Sequence, residues 1–454
     1  MDHVRIPTEC GQDADGIPPR FPTNIADRLY YCMRGVNTGY FHMILSLNGR
    51  IDEQRLAKAA RLAADAEPLL GCQFIDHWLF PYWQRRNDLE ETEFLKMVPV
   101  RELKTDLNRV TGEFSDPRVD LQFKVFVLRS NTDTLCIRMN HMIGDGSAGK
   151  DLIYLLASIY GRIGEDPDFY PKPKLGVDRS YKRLGQQLKL KDKLAIFKNL
   201  RWPMREIKKA GVTWQPPAHS TGSERHDSVN LVLPPERTQA IRRYARKHRS
   251  SPNLVLITAF FRALESVIPH PPNSPLPIIM TIDLRRYLPS RKTDVMCNHS
   301  GAEALFIHSK PGMQFSEILS QVLEQYKRLK KNYLGLSSIL LILETFPLFK
   351  TVRFLPFHLI KKAFASKVNP MSGVSSAAGL TNWGEIDPEK GRFGNTEITS
   401  AYGTTHLFQV PGVIVIAATY FNGTATFNMH YLEKWLPGNI VRDILDRMDR
   451  ELRL

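Results

Sequence analysis

A histidine that works as a general base needs a pKa near the working pH, a fixed ring and an open approach for substrate. Residues 140–146, NHMIGDG, supply the residue types for such a site. His141 ends a run with strand alternation, DTLCIRMNH, in which Leu135, Ile137 and Met139 share one side. The same parity turns His141 inward. Asp145, four residues on, or Ser147 is placed to cap the next helix, and Asp145 alternatively to pin the loop by pairing with a cation elsewhere. Gly144 and Gly146 leave space beside the ring. An inward-facing histidine is more often a satisfied structural residue than a catalyst, so the elements around it have to decide.

Those elements are regular. After Gly146 the period changes to 3.6, with Leu152, Leu155, Leu156, Ile159 and Ile163 in one stripe. The unit is therefore strand, tight turn, helix. Upstream, residues 40–49 predict a strand, and IDEQRLAKAARLAADAEP predicts a helix capped by Asp52 and stopped by Pro68. DLQFKVFVLRS predicts a further strand beside DTLCIRMNH. In the second half, DSVNLVLP and LPIIMTIDLRRYL predict strands, the latter running into Asp283, Arg285 and Arg286. ERTQAIRRYARKH and PNLVLITAFFRALESVI predict helices. Asn422-Gly423 between two alternating runs is a hairpin signal.

At 454 residues, with 43% hydrophobic and 24% charged residues, the chain suits a folded protein of two domains or one bilobed unit. Five scattered cysteines without a C-x-x-C pair argue against a disulfide framework or a zinc site and fit a reducing, cytoplasmic setting. The first ten residues mix acids and bases without an apolar run, which speaks against a signal peptide. The apolar stretch from Leu334 falls short of a membrane span. The net charge of +15 is concentrated: residues 172–209 hold 13 Lys/Arg against three acids, and residues 345–384 hold five Lys/Arg and no acid. Such blocks serve as solvated faces, or contact an anionic ligand, an acidic protein or an anionic membrane surface. No nucleic-acid motif accompanies them. Phe346, Phe349, Phe354, Phe357 and Ile360 in the acid-free stretch read as a core helix or a lipophilic lining.

HMIGDG resembles the HxxxDG motif of the CoA-dependent acyltransferase superfamily, which includes chloramphenicol acetyltransferases, plant BAHD enzymes, alcohol acetyltransferases and condensation domains. Its context is similar too: LNGRIDEQRLAKAARLAADAEPLLGCQF, the two strands before the motif, SSPNLVLITAFFRAL, IDLRRYLP with MCNHSG, and LTNWGEID. The resemblance implies an α/β fold of two chloramphenicol-acetyltransferase-like lobes, each a sheet flanked by helices, with a tunnel between them. The lobes would span residues 1–165 and 226–454, joined by a basic crossover at 166–225.

It implies a free-standing, monomeric acyltransferase that moves an acyl group from acyl-CoA or an acyl carrier protein to a hydroxyl or amine. No bound cofactor or metal is expected, the acyl thioester being a co-substrate. His141 matches the catalytic base, and Asp145 the structural acid that pairs with an arginine of the other lobe, Arg285 or alternatively Arg286. Gly146 matches the glycine that keeps the tunnel open, and Thr381 and Asn382 match polar oxyanion stabilisers. Expected partners are the thioester donor, the acceptor, an acidic carrier protein and a peripheral membrane surface. Asn140 stands where many relatives have a second histidine, which points away from a standard peptide-synthetase domain. D-F-G-W-G is absent; only RFGN at 392–395 lies near its place. The alternative is a non-catalytic condensation-like protein that binds an acyl or lipid ligand or docks a carrier protein.

Overall fold

The computed structural model describes residues 16–186, 188–199, 224–270, 275–310, 312–336, 355–367 and 377–454. The first half runs β1 (Arg20–Pro22), α1 (Ile25–Cys32), β2 (Tyr40–Leu47), α2 (Glu53–Ala66), β3 (Cys72–Ile75), β4 (Tyr82–Arg85), β5 (Leu95–Pro99), α3 (Leu103–Thr111), β6 (Phe123–Arg129), β7 (Asp133–Asn140) and α4 (Gly146–Glu165). Two helices lie in the crossover, α5 (Lys182–Gln186) and α6 (Leu190–Asn199). The second half runs β8 (His226–Leu233), α7 (Pro235–Lys247), α8 (Pro252–Val267), β9 (Leu276–Asp283), β10 (Ser300–Ile307), α9 (Phe315–Lys331), α10 (Phe357–Lys367), β11 (Ala377–Glu385), β12 (Ile398–Gly403), β13 (Val413–Phe421), β14 (Thr424–Leu432) and α11 (Gly438–Glu451).

Local chemistry sets the boundaries. Asp52 caps α2 by accepting from the Arg55 N–H at 2.9 Å. Pro68 disfavours helical backbone at the residue before it, and Glu67 sits at φ −122°, ψ 86°. Ser251 caps α8, with Pro252 in its first turn. Asn422 and Gly423 both take positive φ, 47° and 78°, as a two-residue hairpin whose twist matches its strands requires.

The strands form a five-stranded sheet, β12-β2-β7-β6-β5, a six-stranded sheet, β10-β9-β11-β13-β14-β8, and a small sheet, β1-β4-β3. In the five-stranded sheet, Leu135, Ile137 and Met139 of β7 join a core with Leu56, Ala60 and Ala63 of α2 and Leu152, Leu156 and Ile159 of α4. Burial of each large aliphatic side chain there contributes about 1.5–3 kcal/mol. The second sheet packs its own core against α8, α9 and α11.

β12 falls in the second half of the chain but pairs antiparallel with β2, completing the first sheet. The Gly403 N–H at its end donates to Thr419 Oγ1 of β13 at 3.0 Å, so the same segment ties the sheets together. The alternating pattern of β7 does not become alternating exposure, since every residue of the strand is buried. Cys136 and Arg138 face away from the α2/α4 core: Cys136 packs with Val110 of α3 and with Phe126, and Arg138 lies over the Tyr40 and Phe126 rings at the junction with the second sheet. Across that junction His42 of β2 meets His430 of β14 with ring centroids 6.4 Å apart, and His430 meets His226 of β8 at 5.9 Å.

Phe357 of α10 is fully buried, against Tyr31 and Phe74, and Ile360 packs on the same core. Phe346, Phe349 and Phe354 lie outside the described residues. Among the described residues no helix is long and apolar enough to cross a membrane. Cys32, Cys72, Cys136 and Cys297 are free thiols.

Candidate active site

β7 ends at Asn140, whose buried amide shapes the turn that follows. Its Oδ1 accepts from the Met142 N–H at 2.9 Å, and its Nδ2 donates to Gln122 Oε1 at 2.6 Å. Asn140 is therefore a fully engaged turn residue. The loop closes on Asp145, which caps α4: Oδ1 accepts from the Ser147 and Ala148 N–H groups, both at 3.1 Å. Oδ2 accepts from Arg285 Nη1 and from the His299 N–H, each at 2.8 Å. Both readings of Asp145 are thus realised together, and none of these bonds goes to His141.

Arg285 is buried and holds further partners, donating to the Cys297 carbonyl at 2.8 Å and to Thr293 Oγ1 at 3.3 Å. Arg286, the alternative partner, is exposed. Burial alone would raise the Asp145 carboxyl, but the Arg285 charge and the N–H donors hold it below the usual carboxylate value.

His141 lies where the halves meet. Tyr30 of α1 stacks on its ring at 4.6 Å and 19°, Phe41 of β2 stands edge-on at 5.3 Å, and His406, beyond β12, lies 5.5 Å away. Its backbone N–H donates to the Gly39 carbonyl at 2.8 Å. The Asn298 amide nitrogen lies 3.0 Å from both Nδ1 and the backbone oxygen of His141. An amide nitrogen only donates, so in this arrangement Nδ1 accepts and the neutral ring carries its proton on Nε2. Burial lowers the His141 pKa below its ordinary value, against the backbone carbonyl of His141, the Asp145 charge and the Gly144 carbonyl. The ring is therefore neutral at neutral pH.

Gly146 is close-packed: a Cβ there would lie 3.1 Å from the Trp383 indole, which stands edge-on to Phe41 at 5.1 Å. The space left by this glycine is filled by an aromatic ring. Thr381 and Asn382 sit on β11, beside Trp383. Thr281 and Thr381 hydroxyls bond at 3.1 Å, and Asn382 Nδ2 donates to Asn253 Oδ1 at 3.1 Å. Asn382 lines a cavity of about 310 Å³ with Arg242, Ser251, Asn253, Glu385 and Tyr420. His141, Asp145, Gly146 and Arg285 come together; Thr381 and Asn382 lie along β11, with bonds that run toward β9 and α8.

Sequence reasoning passed over Tyr30, Asn298 and His406. Asn298 lies in MCNHSG, a segment noted only for its likeness to relatives; Tyr30 carried no signal. Of the basic crossover, Lys174 pairs with Glu67, Arg179 with Asp27 and Arg183 with Asp294. Residues 200–223 lie outside the described residues. Arg242, Arg243, Arg246 and Lys247 are exposed on α7, and Arg242 of these lines the cavity.

A trichothecene 15-O-acetyltransferase from Fusarium sporotrichioides, 13% identical, superposes with a TM-score of 0.69 over 95% of this chain and 95% of its own. The polyketide synthase associated protein 5 from Mycobacterium tuberculosis, 16% identical, gives 0.67 over 95% and 98%. The first condensation domain of the calcium-dependent antibiotic synthetase, 15% identical, gives 0.64 over 95% and 95%. The fold is chloramphenicol acetyltransferase-like. No protein-family model and no curated protein matches the sequence. In this chloramphenicol acetyltransferase-like fold both lobes are present, and the HxxxDG residues lie where the two meet.

Proposed function

We propose that the chain is an acyltransferase that moves an acyl group from a thioester to a hydroxyl or amine, with His141 as general base. The observation that supports this best is the Asp145–Arg285 pair, which fixes the loop after His141 against the second lobe while leaving the imidazole neutral. His141 takes the acceptor proton as the nucleophile attacks the thioester carbonyl, then returns it to the departing thiolate. Asp145, Arg285 and Gly146 hold the loop. Thr381 and Asn382 stabilise the carbonyl oxygen or contact substrate. The cavity beside α7 receives the donor, its cations suiting either CoA phosphates or the acidic surface of a carrier protein. The thioester is a co-substrate; no bound cofactor or metal is required.

To act as base through Nε2, the ring must carry its proton on Nδ1, turned to a backbone carbonyl. Asn298 must then give up Nδ1 and keep only the His141 oxygen. Thiol release from a panel of acyl-CoAs and acyl carrier proteins, with and without alcohols and amines, tests the proposal. Release that depends on an acceptor is expected, and His141→Ala should reduce it roughly 100-fold or more while the protein stays folded, as loss of general acid–base help implies. Unchanged turnover in that variant would overturn the assignment.

One observation favours the second reading, a non-catalytic protein that binds an acyl ligand or docks a carrier protein. With the Asn298 amide donating to Nδ1, the His141 ring carries its proton on Nε2, where it cannot accept one from an acceptor. Acyl-thioester binding without thiol release, under any acceptor, would select that reading.

A further inference from the structure

Arg179, in the crossover, is almost completely enclosed, with 11% of its side chain exposed. Its guanidinium spends its donors on three separate segments. Nη1 and Nη2 donate to the two carboxylate oxygens of Asp27 at 3.1 and 3.3 Å. Nη2 also donates to the Met142 and Ile143 carbonyls at 3.3 and 3.1 Å. Nε donates to the Met296 carbonyl at 3.2 Å.

Each of these segments carries one wall of the His141 pocket. Asp27 is fully buried, completes the capping box of α1 and accepts from the Trp83 indole N–H at 2.9 Å. Three residues later on the same helix is Tyr30, the ring stacked on His141. Met142 and Ile143 follow His141 directly. Met296 precedes by two residues Asn298, the amide that touches Nδ1.

We propose that Arg179 is a positioning residue, which sets the orientation of the His141 ring by holding α1, the HMIGDG loop and the 295–299 loop in one register. A guanidinium suits this task because its planar fork meets a carboxylate end-on through Nη1 and Nη2 and still reaches carbonyls from its other edges. A lysine ammonium is a point charge with three donors and cannot span the same set. The proposal gives the crossover a part in the site: its buried arginine completes the housing of a histidine 38 positions earlier in the chain. It rests on His141 as the working group, and its test is read on the imidazole itself rather than on turnover.

The experiment is long-range proton–nitrogen NMR of the His141 side chain across pH, in the full chain, for wild type, Arg179→Lys and Arg179→Gln. Arg179→Lys keeps a cation beside Asp27 and is expected to fold. Its His141 pKa should rise by about one unit as water reaches the loosened pocket, and its preference for the Nε2 proton should weaken. Lys182→Gln, which removes an exposed crossover cation three residues along the chain, should leave both signals unchanged. Arg179→Gln should shift the signals at least as far as Arg179→Lys. If the buried carboxylate then prevents folding, Asp27→Asn/Arg179→Gln removes both charges together and reads the same signals.

A folded Arg179 variant with a lower melting temperature but unaltered His141 titration and tautomer overturns the proposal. Where thiol release is measurable, the pH profile should move with the His141 pKa, with kcat falling and KM held. A shifted imidazole in a protein that releases no thiol supports positioning and sinks only the acyl-transfer reading.

Discussion

Acidification alone is expected to destabilise the protein steeply from about pH 6 downward, before its carboxylates titrate. The cause is the histidine junction between the two sheets. Burial lowers His42 well below its ordinary value, with His430, Arg138 and His226 opposing its protonation further. Burial also lowers His430 to about 4 and His406 to about 3. The Nε2 atoms of His42 and His430 are enclosed without a hydrogen-bond partner, so neither ring has an acceptor ready for a second proton. In the unfolded chain these residues titrate near 6.5.

The sign follows directly. A histidine whose folded pKa is depressed leaves stability at its full value above the unfolded pKa. Below it the unfolded chain gains protons that the folded chain refuses, and stability falls until the folded pKa is reached. Each such group costs about 1.4 kcal/mol per pH unit until its folded pKa is reached, so His430 lowers stability between pH 6 and about 4, and His42, shifted in the same direction, adds to that fall. His406, partly exposed, adds less. Over that window the loss from His430 alone reaches about 3 kcal/mol, a large part of a total stability of about 5–15 kcal/mol. Urea midpoints at pH 7.5, 6.0 and 5.0 measure it, and His430→Asn should flatten the dependence by about half. A midpoint constant from pH 7.5 to 5 would show that the junction admits water or protons freely.

Strand parity was enough to place His141 inward, and the cap position was enough to place Asp145 at the start of α4. Both are consequences of local periodicity. The Arg285 assignment came through resemblance, since nothing local distinguishes a buried Arg285 from an exposed Arg286 beside it. What periodicity could not carry was contact between distant segments. β7 looked one-sided because Arg138 and Asn140 are polar, yet a second sheet covers that face, and the polar groups are met by aromatic rings and by Gln122. The exchange of β12 into the first sheet left no mark either, because ITSAYG carries no signal of which edge it joins. Tyr30 and Asn298 reach His141 only through the register that Arg179 and the 295–299 loop impose.

Asp145→Ala is expected to cost about 3–5 kcal/mol, because it leaves the Arg285 guanidinium buried without its anion. Loss of the α4 cap adds about 1 kcal/mol, since the Ser147 and Ala148 N–H groups lose their acceptor. The His299 N–H loses its acceptor as well. Arg285 keeps the Cys297 carbonyl and the exposed Asp283 carboxylate, 3.3 Å from Nη1, which prevents complete collapse but does not neutralise the interior. Asp145→Asn is a sharper probe. Its Oδ1 can still cap α4, but the amide nitrogen then points donors at the donors of Arg285 and His299. Near-full loss of stability with the cap intact would locate the energy in the ion pair.

Arg285→Met combined with Asp145→Ala removes both charges, and the double variant should be more stable than the sum of the single losses by about 1–3 kcal/mol, read from urea denaturation. Additive losses would mean that the two residues act independently. Where thiol release is measured, the Asp145 variants should lose rate together with melting temperature. A variant of normal stability whose pH profile alone moves would make Asp145 a proton-transfer group. The geometry argues against that outcome: each of its oxygens already accepts two donors, and none of those donors is the imidazole.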